Sequence, residues 1–301
     1  MADLRVNFCG VELKNPITTA SGTFGFGHEY GEFFDLSQLG GIGVKGLTPT
    51  ERLGNPAPRI AETPQGILNC VGLQNPGIDR FIEEQIPFLR RYDTKIIANV
   101  SGNTVEEYEG MVEKISDADV DLIEMNISCP NVKCGGMAFG TQPKMVEEVV
   151  SAAKAKAKKP LIVKLSPNVT DIAEIARAAE SAGADALSLI NTLLGMRMDI
   201  EKRKPILSNV MGGLSGPAVF PVAVRMVYQV RKAVSVPILG MGGIRTGRDI
   251  VEMMLAGADA VAMGMFNDPT APVKALAELN EWLDAHGVKS VTELSGAVEV
   301  G

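Results

Sequence analysis

The chain has 301 residues, of which 46% are hydrophobic, so it can bury a large core as one big domain or two smaller ones. Its formal net charge of −7 argues against a general nucleic-acid-binding protein, which would normally show a basic excess. The amino-terminal residues lack the apolar core of a signal peptide, and no apolar run approaches the roughly 20 residues that span a bilayer. We therefore expect a cytoplasmic protein that binds neither nucleic acid nor membrane.

Short apolar runs alternate with amphipathic stretches along nearly the whole chain, which predicts strands alternating with helices. The predicted strands are Ile17–Ala20, Gly41–Gly46, Lys95–Val100, Leu122–Ser128, Leu161–Ser166, Ala186–Thr192, Pro237–Gly242 and Ala260–Gly264. The predicted helices are Asp79–Arg91, Thr104–Ile115, Lys144–Lys156, Asp171–Ala182, Val219–Ala233 and Thr246–Ala256. Strands that are nearly all followed by a helix, in a core of about 250 residues, predict an α/β protein of the (β/α)8 TIM-barrel class.

No linker or low-complexity segment divides the chain, so we predict a single domain over residues 1–301. A hairpin within residues 1–16 is expected over the bottom of the barrel. A doubly wound open sheet is the alternative fold, but no G-x-G-x-x-G follows the first predicted strand. The long connections Leu47–Pro76 and Leu193–Pro217 follow the second and sixth strands, and we expect them to form a roof over a pocket.

The supply of cysteine and histidine restricts the chemistry that the chain can carry. With only His28 and His286, we expect no metal site and no histidine-driven catalysis. None of the four cysteines belongs to a C-x-x-C pair, and a chain of this size does not need disulfides. Cys9 and Cys70 are expected to be buried apolar residues, and Cys134 lies in a polar loop without a visible activator.

In a barrel, the carboxyl ends of all strands meet at one face, where such enzymes place their sites. The polar residues and glycines at the predicted strand ends are Ser21, Lys45, Asn99, Asn126, Cys129, Lys164, Ser166, Asn191, Thr192, Gly242, Gly243 and Gly264. Lys164 lies inside an apolar strand with no acidic residue next to it, and an unpaired buried charge is very costly. We therefore expect an anionic or electron-rich ligand to satisfy Lys45 and Lys164.

The run Asn126-Ile127-Ser128-Cys129-Pro130-Asn131 places a thiol just past the end of a strand. Pro130 cannot donate to a β-ladder and biases the residue before it toward an extended or turn conformation. Cys129 could therefore act as a nucleophile or a base, and a purely structural role is the alternative.

Glycine clusters follow the last two predicted strands, at Gly240-Met241-Gly242-Gly243 and Met263-Gly264-Met265, and Gly216 could lie nearby. They leave backbone N–H groups accessible near a helix start, as in the phosphate sites that barrels commonly form after strands seven and eight. Tight turns without a ligand are the alternative. Two clusters at the expected strands favour a phosphorylated cofactor.

Ordered motifs along essentially the whole chain resemble those of the dihydroorotate dehydrogenases, the flavin enzymes of pyrimidine biosynthesis. The motifs are Ala20-Ser21-Gly22-Thr23-Phe24-Gly25, Gly54-Asn55-Pro56-x-Pro58-Arg59, Asn69-x-x-Gly72-Leu73-Gln74-Asn75, Asn126-Ile127-Ser128-Cys129-Pro130-Asn131, Lys164-Leu165-Ser166-Pro167, Ile190-Asn191-Thr192, Gly212-Gly213-Leu214-Ser215-Gly216-Pro217 and Gly240-Met241-Gly242-Gly243. Class 2 members carry a serine where Cys129 stands, whereas this chain resembles class 1, and class 1B in particular.

The resemblance implies that FMN binds on the strand-end face and that Cys129 is the general base. Cys129 would remove the C5 proton of dihydroorotate while C6 delivers a hydride to flavin N5. The implied cofactor contacts are Ser21, Lys45, Gly46, Asn99, Asn126, Lys164, Ile190, Gly216, Gly242, Gly243, Gly264 and Met265. The implied substrate contacts are Lys45, Asn69, Cys70, Val71, Gly72, Leu73, Asn126, Asn191 and Thr192. Met265 departs from the family pattern, in which a threonine is expected beside the phosphate.

Class 1B members pass electrons to NAD+ through a partner subunit that carries FAD and a [2Fe-2S] cluster, whereas class 1A members work alone with fumarate. The chain has neither a C-x-x-C pair nor a nicotinamide fingerprint, so it would need that partner. The family implies a homodimer within a heterotetramer. The alternatives are a class 1A enzyme, a dihydropyrimidine dehydrogenase-like barrel that acts on uracil or thymine, and a non-redox phosphate-binding barrel.

Overall fold

The computed structural model describes residues 2–127, 139–265 and 268–300, and parallel strands form a closed barrel in it. The barrel strands are β1 (Ile17–Thr19), β2 (Gly41–Gly43), β3 (Lys95–Val100), β4 (Leu122–Asn126), β5 (Leu161–Lys164), β6 (Ala186–Leu189), β7 (Ile238–Met241) and β8 (Ala260–Met263). Each strand pairs with the next one along the chain, and β8 pairs with β1 to close the ring. The predicted (β/α)8 barrel is confirmed, and the open doubly wound sheet is excluded.

Several strands end earlier than predicted, and the second strand shows one reason. The second strand was expected to reach Gly46 but ends at Gly43. Beyond that point, the Lys45 N–H donates to the Gly25 carbonyl, which belongs to the loop after β1. Lys45 is therefore positioned by a loop contact.

Helices on the outside of the barrel cover the strands. Those between strands are Val105–Ser116, Pro143–Lys156, Ile172–Ser181, Phe220–Arg231 and Gly247–Ala256, and Ala271–His286, which was not predicted, follows β8. Single 3-10 turns occur at Tyr30–Glu32, Leu36–Gln38, Pro217–Val219 and Val291–Leu294. No helix within the described ranges combines the length and apolar character that crossing a membrane requires.

The helix predicted over residues 79–91 is irregular. It consists of Ile78–Arg80, a π-helical turn at Phe81–Gln85 and a last turn at Ile86–Leu89. Pro87 lacks the N–H that a continuous α-helical ladder would need at this position, which explains the break.

Side-chain caps fix the starts of several helices. The Thr104 hydroxyl accepts a hydrogen bond from the Glu107 N–H, as the sequence predicts for an N-cap. The Asp171 carboxylate caps the helix before β6, and Thr246 forms a reciprocal capping box with Asp249.

Two aspartates tie the bottom of the barrel to the surrounding helices. Asp185 accepts a hydrogen bond from the first N–H of β5, and Asp259 does the same for β7. Each carboxylate also pairs with a cation on a helix, Asp185 with Lys154 and Asp259 with Arg231. These repeated contacts fix the height of the strands and hence the positions of the residues at their upper ends.

The two long connections build a small antiparallel sheet that was not predicted. We call it the roof sheet, and its strands, in spatial order, are Leu193–Met196, Met211–Ser215, Gly66–Asn69 and Ile60–Thr63. The segment between the strands Leu193–Met196 and Met211–Ser215 contains a short antiparallel pair of its own, Met198–Asp199 with Lys204–Pro205. One face of the roof sheet has its own apolar cluster, which consists of Ala61, Leu68, Cys70 and Leu207.

The predicted amino-terminal hairpin is present as Val6–Phe8 paired with Val11–Leu13. Its turn residue Cys9 has its Sγ atom 3.3 Å from the carbonyl oxygen of Asp185, immediately before β6. The hairpin therefore contacts the amino-terminal end of the barrel, opposite the strand ends. Burial, together with the carboxylates of Asp185 and Asp259, raises the pKa of the Cys9 thiol to about 12, which fits a structural role.

Candidate active site

A buried polar cluster lies inside the barrel at the upper ends of β3 to β6. It consists of Asn99, Glu124, Lys164 and Ser188, and each of these residues is at most 4% exposed. Asn99 lies opposite Glu124 in the sheet register, and Lys164 lies opposite Ser188. Because paired residues on neighbouring strands point to the same side of a sheet, these side chains share the barrel interior.

The Glu124 carboxylate is the common acceptor of this cluster. Its Oε1 accepts a hydrogen bond from the Ser188 hydroxyl at 2.7 Å, and its Oε2 accepts one from Asn99 Nδ2 at 2.5 Å. The Lys164 Nζ atom lies 3.7 Å from the same Oε2. The expectation that Lys164 needs the charge of a ligand is therefore wrong, since the chain supplies its own carboxylate.

Glu124 was missed as a functional residue in the sequence. The available signal was a single acidic residue inside the apolar run of β4, on the strand next to the one that carries Lys164. Two isolated opposite charges on neighbouring buried strands are most easily satisfied by each other.

Asn99 leaves one polar atom without a partner. Among the residues that the structure describes, its Oδ1 is the only buried side-chain nitrogen or oxygen that makes no hydrogen bond. A Cβ atom on Gly46 would lie 2.8 Å from this oxygen and 3.4 Å from Leu73 Cδ2. An unsatisfied buried acceptor is costly, so this space beside Gly46 suits a ligand that donates a hydrogen bond.

Asn126 ends β4 one layer above Glu124 and lies opposite Lys164 in the register. Its carbonyl oxygen accepts hydrogen bonds from the Ser101 hydroxyl at 3.1 Å and the Tyr108 hydroxyl at 2.8 Å. These two contacts hold the end of β4 and position the Asn126 side chain, which is 7% exposed, at the upper face of the cluster.

Lys45 joins the end of the barrel to the segment 69–73. Its Nζ donates to the carbonyl oxygen of Gly72 at 3.2 Å, and a Cβ atom on Gly22 would lie 3.6 Å from the same nitrogen. Ser21, also predicted for the site, lies in the same region, with its N atom 3.6 Å from the Cβ position of Gly43. Lys45 therefore contacts two of the loops predicted to contribute to the site.

The predicted substrate segment uses its backbone more than its side chains. Cys70 is fully buried in the roof-sheet cluster, and its carbonyl oxygen accepts a hydrogen bond from Asn55 Nδ2. The Val71 carbonyl oxygen accepts one from the Asn55 N–H, and Leu73 is 8% exposed beside Gly46. The structure thus places the Cys70 side chain in a packing position, as expected from its residue type.

The roof sheet brings Asn69 close to the residues after β6. Asn69 Nδ2 lies 3.4 Å from the Gly213 carbonyl oxygen, and a Cβ atom on Gly213 would collide with Thr192 Oγ1. Asn191 Oδ1 accepts a hydrogen bond from the Thr192 N–H at 2.7 Å. Three of the residues predicted to bind the substrate are therefore neighbours, although more than 100 residues separate Asn69 from the other two.

Gly216, Gly242 and Gly243 form a cradle of bare backbone. A Cβ atom on Gly243 would lie 2.7 Å from the Gly216 carbonyl oxygen and 2.9 Å from the Phe220 N atom, and one on Gly242 would lie 3.2 Å from Ile190 Cγ1. All three glycines have positive φ, between 76° and 122°. Gly216 immediately precedes the 3-10 turn that leads into the helix Phe220–Arg231.

This cradle fits the sequence-based expectation of a phosphate site. Helix starts carry free N–H groups and a partial positive charge, which favour anions. Gly264 and Met265 follow β8, the strand that pairs with β7, and Met265 is buried. The structure therefore places the glycines at the ends of adjoining strands, as expected.

Part of the predicted chemistry lies outside the described residues. This applies to Cys129, Asn131 and Cys134, and to most of the loop 132–140, which the sequence suggests as a lid. Within the described residues, the upper face of the barrel presents cations, amides, a glycine cradle and one buried acceptor without a partner, Asn99 Oδ1, which we call the orphan acceptor. This set suits a flat polar ligand with a phosphate at one end.

Comparisons with known proteins agree on one family. A family model described as dihydroorotate dehydrogenase matches residues 3–283. The "Dihydroorotate dehydrogenase B (NAD(+)), catalytic subunit" of Alkaliphilus metalliredigens (strain QYMF) is 61% identical over 298 residues, which cover 98% of this chain and 99% of the relative. The proteins with the same name from Bacteroides thetaiotaomicron and Geotalea daltonii are 56% and 53% identical, and the matches cover at least 99% of each chain. The chain belongs to the dihydroorotate dehydrogenase family.

Proposed function

We propose that the chain oxidises dihydroorotate to orotate in pyrimidine biosynthesis, as the catalytic subunit of an NAD+-linked dihydroorotate dehydrogenase. The observation that carries this proposal is the 61% identity, over 98% of the chain, to a relative with that name. The polar strand-end face described above is consistent with it, because a redox barrel needs a cofactor and a substrate to meet at that face.

FMN is the proposed cofactor, and two separate features support it. The cradle of Gly216, Gly242 and Gly243, with Gly264 and Met265 beside it, would hold the phosphate through backbone N–H groups. Because a backbone N–H does not depend on the side chain, Met265 in place of a threonine would remove only a hydroxyl contact. The orphan Oδ1 of Asn99 would accept a hydrogen bond from the rest of the cofactor.

The remaining proposed contacts orient the cofactor along the barrel ends. They are Ser21, Lys45, Gly46, Asn99, Asn126, Lys164 and Ile190. When bound, FMN supplies the acceptor for the hydride that leaves C6 of the substrate. The Lys164 cation would stabilise negative charge at the cofactor, as fixed protein charges tune a redox group.

The substrate is a planar anion with amide edges, and the proposed contacts match both properties. Lys45 supplies positive charge, while Asn69, Asn126 and Asn191 can each donate and accept hydrogen bonds. Thr192 and the segment from Cys70 to Leu73 complete the proposed contacts. The hydrogen bond from Lys45 to the Gly72 carbonyl oxygen would hold the Lys45 ammonium group next to this segment.

Cys129 is the proposed base, and its role rests on the family motif. A thiol with a reference pKa of about 8.5 can take the C5 proton of the substrate if neighbouring cations lower that value.

Electrons would leave through a second subunit. The relatives are named as catalytic subunits of an NAD+-linked enzyme, and this chain has no C-x-x-C pair of its own for a cluster. We propose a cytoplasmic heterotetramer in which a homodimer of this chain binds subunits that carry FAD and a [2Fe-2S] cluster.

The proposal is tested by co-purifying the chain from its source cell and measuring the reduction of NAD+ by dihydroorotate. The chain with its partner should reduce NAD+, and the isolated chain should not. Rapid reduction of fumarate by the isolated chain, without any partner, would refute the NAD+-linked assignment.

A further inference from the structure

Glu124 has no part in the proposed binding or catalysis, yet it occupies a position that demands an explanation. Among the residues that the structure describes, only Glu124 and Lys164 are both charged and buried. Their side chains are 3% and 5% exposed. A buried ion pair is often no more stabilising than apolar residues of similar volume, so stability alone does not account for it.

The contacts of Glu124 lead directly to two proposed cofactor contacts. Its Oε2 atom accepts the Asn99 Nδ2 hydrogen bond at 2.5 Å and lies 3.7 Å from Lys164 Nζ. The hydrogen bond also fixes the direction of the Asn99 amide, since a flipped amide would set Oδ1 against the carboxylate. This is why Asn99 presents an acceptor, and not a donor, to the space beside Gly46.

The charge of Glu124 also contributes to the electrostatic potential in the space beside Gly46, where the cofactor is proposed to bind. Two-electron reduction places negative charge on a flavin, which a nearby cation stabilises and a nearby anion destabilises. Lys164 alone would favour the reduced form strongly in this buried site. With the Glu124 carboxylate 3.7 Å from Lys164 Nζ, the pair has no net charge, so it stabilises the reduced flavin less than Lys164 alone would.

We propose that Glu124 is a positioning residue that balances the charge of Lys164 and thereby keeps the reduction potential of the bound flavin low, while it holds the Asn99 acceptor toward the cofactor. The inference rests on the proposed binding of FMN. A lower potential makes transfer of electrons from the reduced cofactor to the next carrier more favourable.

Glu124→Gln isolates the charge, because the chain can accommodate the amide without loss of hydrogen bonds. The Gln oxygen can replace Oε2 as the acceptor for Asn99 Nδ2. The Gln amide nitrogen can donate to the Ser188 hydroxyl, since a hydroxyl both donates and accepts. The orientation of Asn99 is therefore retained, and only the negative charge is removed.

The matched control is Glu113→Gln. Glu113 also pairs with a lysine, Lys156, at 3.3 Å, but this pair joins the outer helices Val105–Ser116 and Pro143–Lys156, and the Glu113 side chain is 55% exposed. Solvent screens such a charge, so its removal should leave the flavin unaffected. Glu124→Asp, which keeps the charge, provides a conservative rescue.

The test is a spectroscopic redox titration of the FMN-loaded proteins against reference dyes. The inference predicts a more positive midpoint potential in E124Q, and potentials close to the wild-type value in Glu113→Gln and Glu124→Asp. An unchanged or more negative potential in E124Q, or an E124Q protein that binds no FMN, would overturn it. A wild-type protein that binds no FMN would overturn the proposed function and this inference together.

Discussion

Adding one methyl group at Gly46 should block the space beside the orphan acceptor. The backbone of Gly46 lies outside the left-handed region, so Gly46→Ala introduces no φ strain. The new Cβ would lie 2.8 Å from Asn99 Oδ1, and Asn99 cannot easily withdraw, because Glu124 holds its amide at 2.5 Å. Such overpacking costs about 1–3 kcal/mol.

The same methyl group should weaken FMN binding, because a cofactor donor could no longer reach the oxygen. Leaving a buried acceptor unpaired costs about 1–3 kcal/mol. This corresponds to roughly a 5- to 150-fold rise in Kd. The assay is titration of the flavin-free protein with FMN, followed by the quenching of flavin fluorescence, with thermal unfolding measured in parallel.

Gly110→Ala is the matched control for this prediction. Gly110 lies in the helix Val105–Ser116, and a Cβ atom there would meet nothing within 4 Å. Alanine should stabilise that helix by about 0.5–1 kcal/mol and leave FMN binding unchanged. A Gly46→Ala protein that binds FMN within twofold of the wild-type Kd would refute the reasoning about the orphan acceptor.

Three further predictions concern other parts of the chain. Cys129→Ala should keep FMN but lose nearly all oxidation of dihydroorotate in a turnover assay, and wild-type turnover would remove Cys129 from the role of base. Gly243→Ala should release FMN on dialysis, because its φ of 76° disfavours alanine and the Cβ would lie 2.7 Å from the Gly216 carbonyl oxygen; retention of the flavin would exclude the cradle as the phosphate site. Hydrogen bonds from Lys274 and Thr270 lower the pKa of Asp268 to about 2, so Asp268 contributes stability above its unfolded pKa of about 3.9 and loses it as the pH falls through 2. Asp268→Asn should therefore lower the Tm at pH 6, with a difference that disappears near pH 2; an equal Tm difference at both pH values would contradict this sign.

The barrel itself was predictable, because each of its strands is a short apolar run with its own helix or loop after it. The ends of the strands were less predictable. Lys45 was assigned to β2 but leaves the sheet, since its N–H bonds to the Gly25 carbonyl oxygen in the loop after β1. A hydrogen bond to a distant loop has no signature in the local pattern of residues.

The roof sheet was missed for a related reason. Its central strands pair Asn69 with Gly213, and no local periodicity links two segments so far apart in the chain. The sequence predicted that the two long connections form a roof over a pocket, but not that they pair with each other as strands. Their pairing is what brings Asn69 next to Thr192.

The sequence predicted which residues form the candidate site more fully than it predicted which of them contact each other. Lys164 was correctly identified as a buried charge that needs a partner. The partner was sought in a ligand because Glu124 is 40 positions away in the sequence, although the sheet register brings the two strands side by side. Once a barrel is predicted, neighbouring strands can be searched for buried residues of opposite charge, and this search would have identified Glu124 as the partner of Lys164.

The most direct test of the account is the anaerobic addition of dihydroorotate to the purified chain, with the visible flavin absorbance recorded. We expect a yellow protein whose absorbance is bleached by dihydroorotate and not by dihydrouracil, which lacks the carboxylate. A colourless protein that does not take up FMN, or a flavin that dihydrouracil bleaches equally well, would contradict the account.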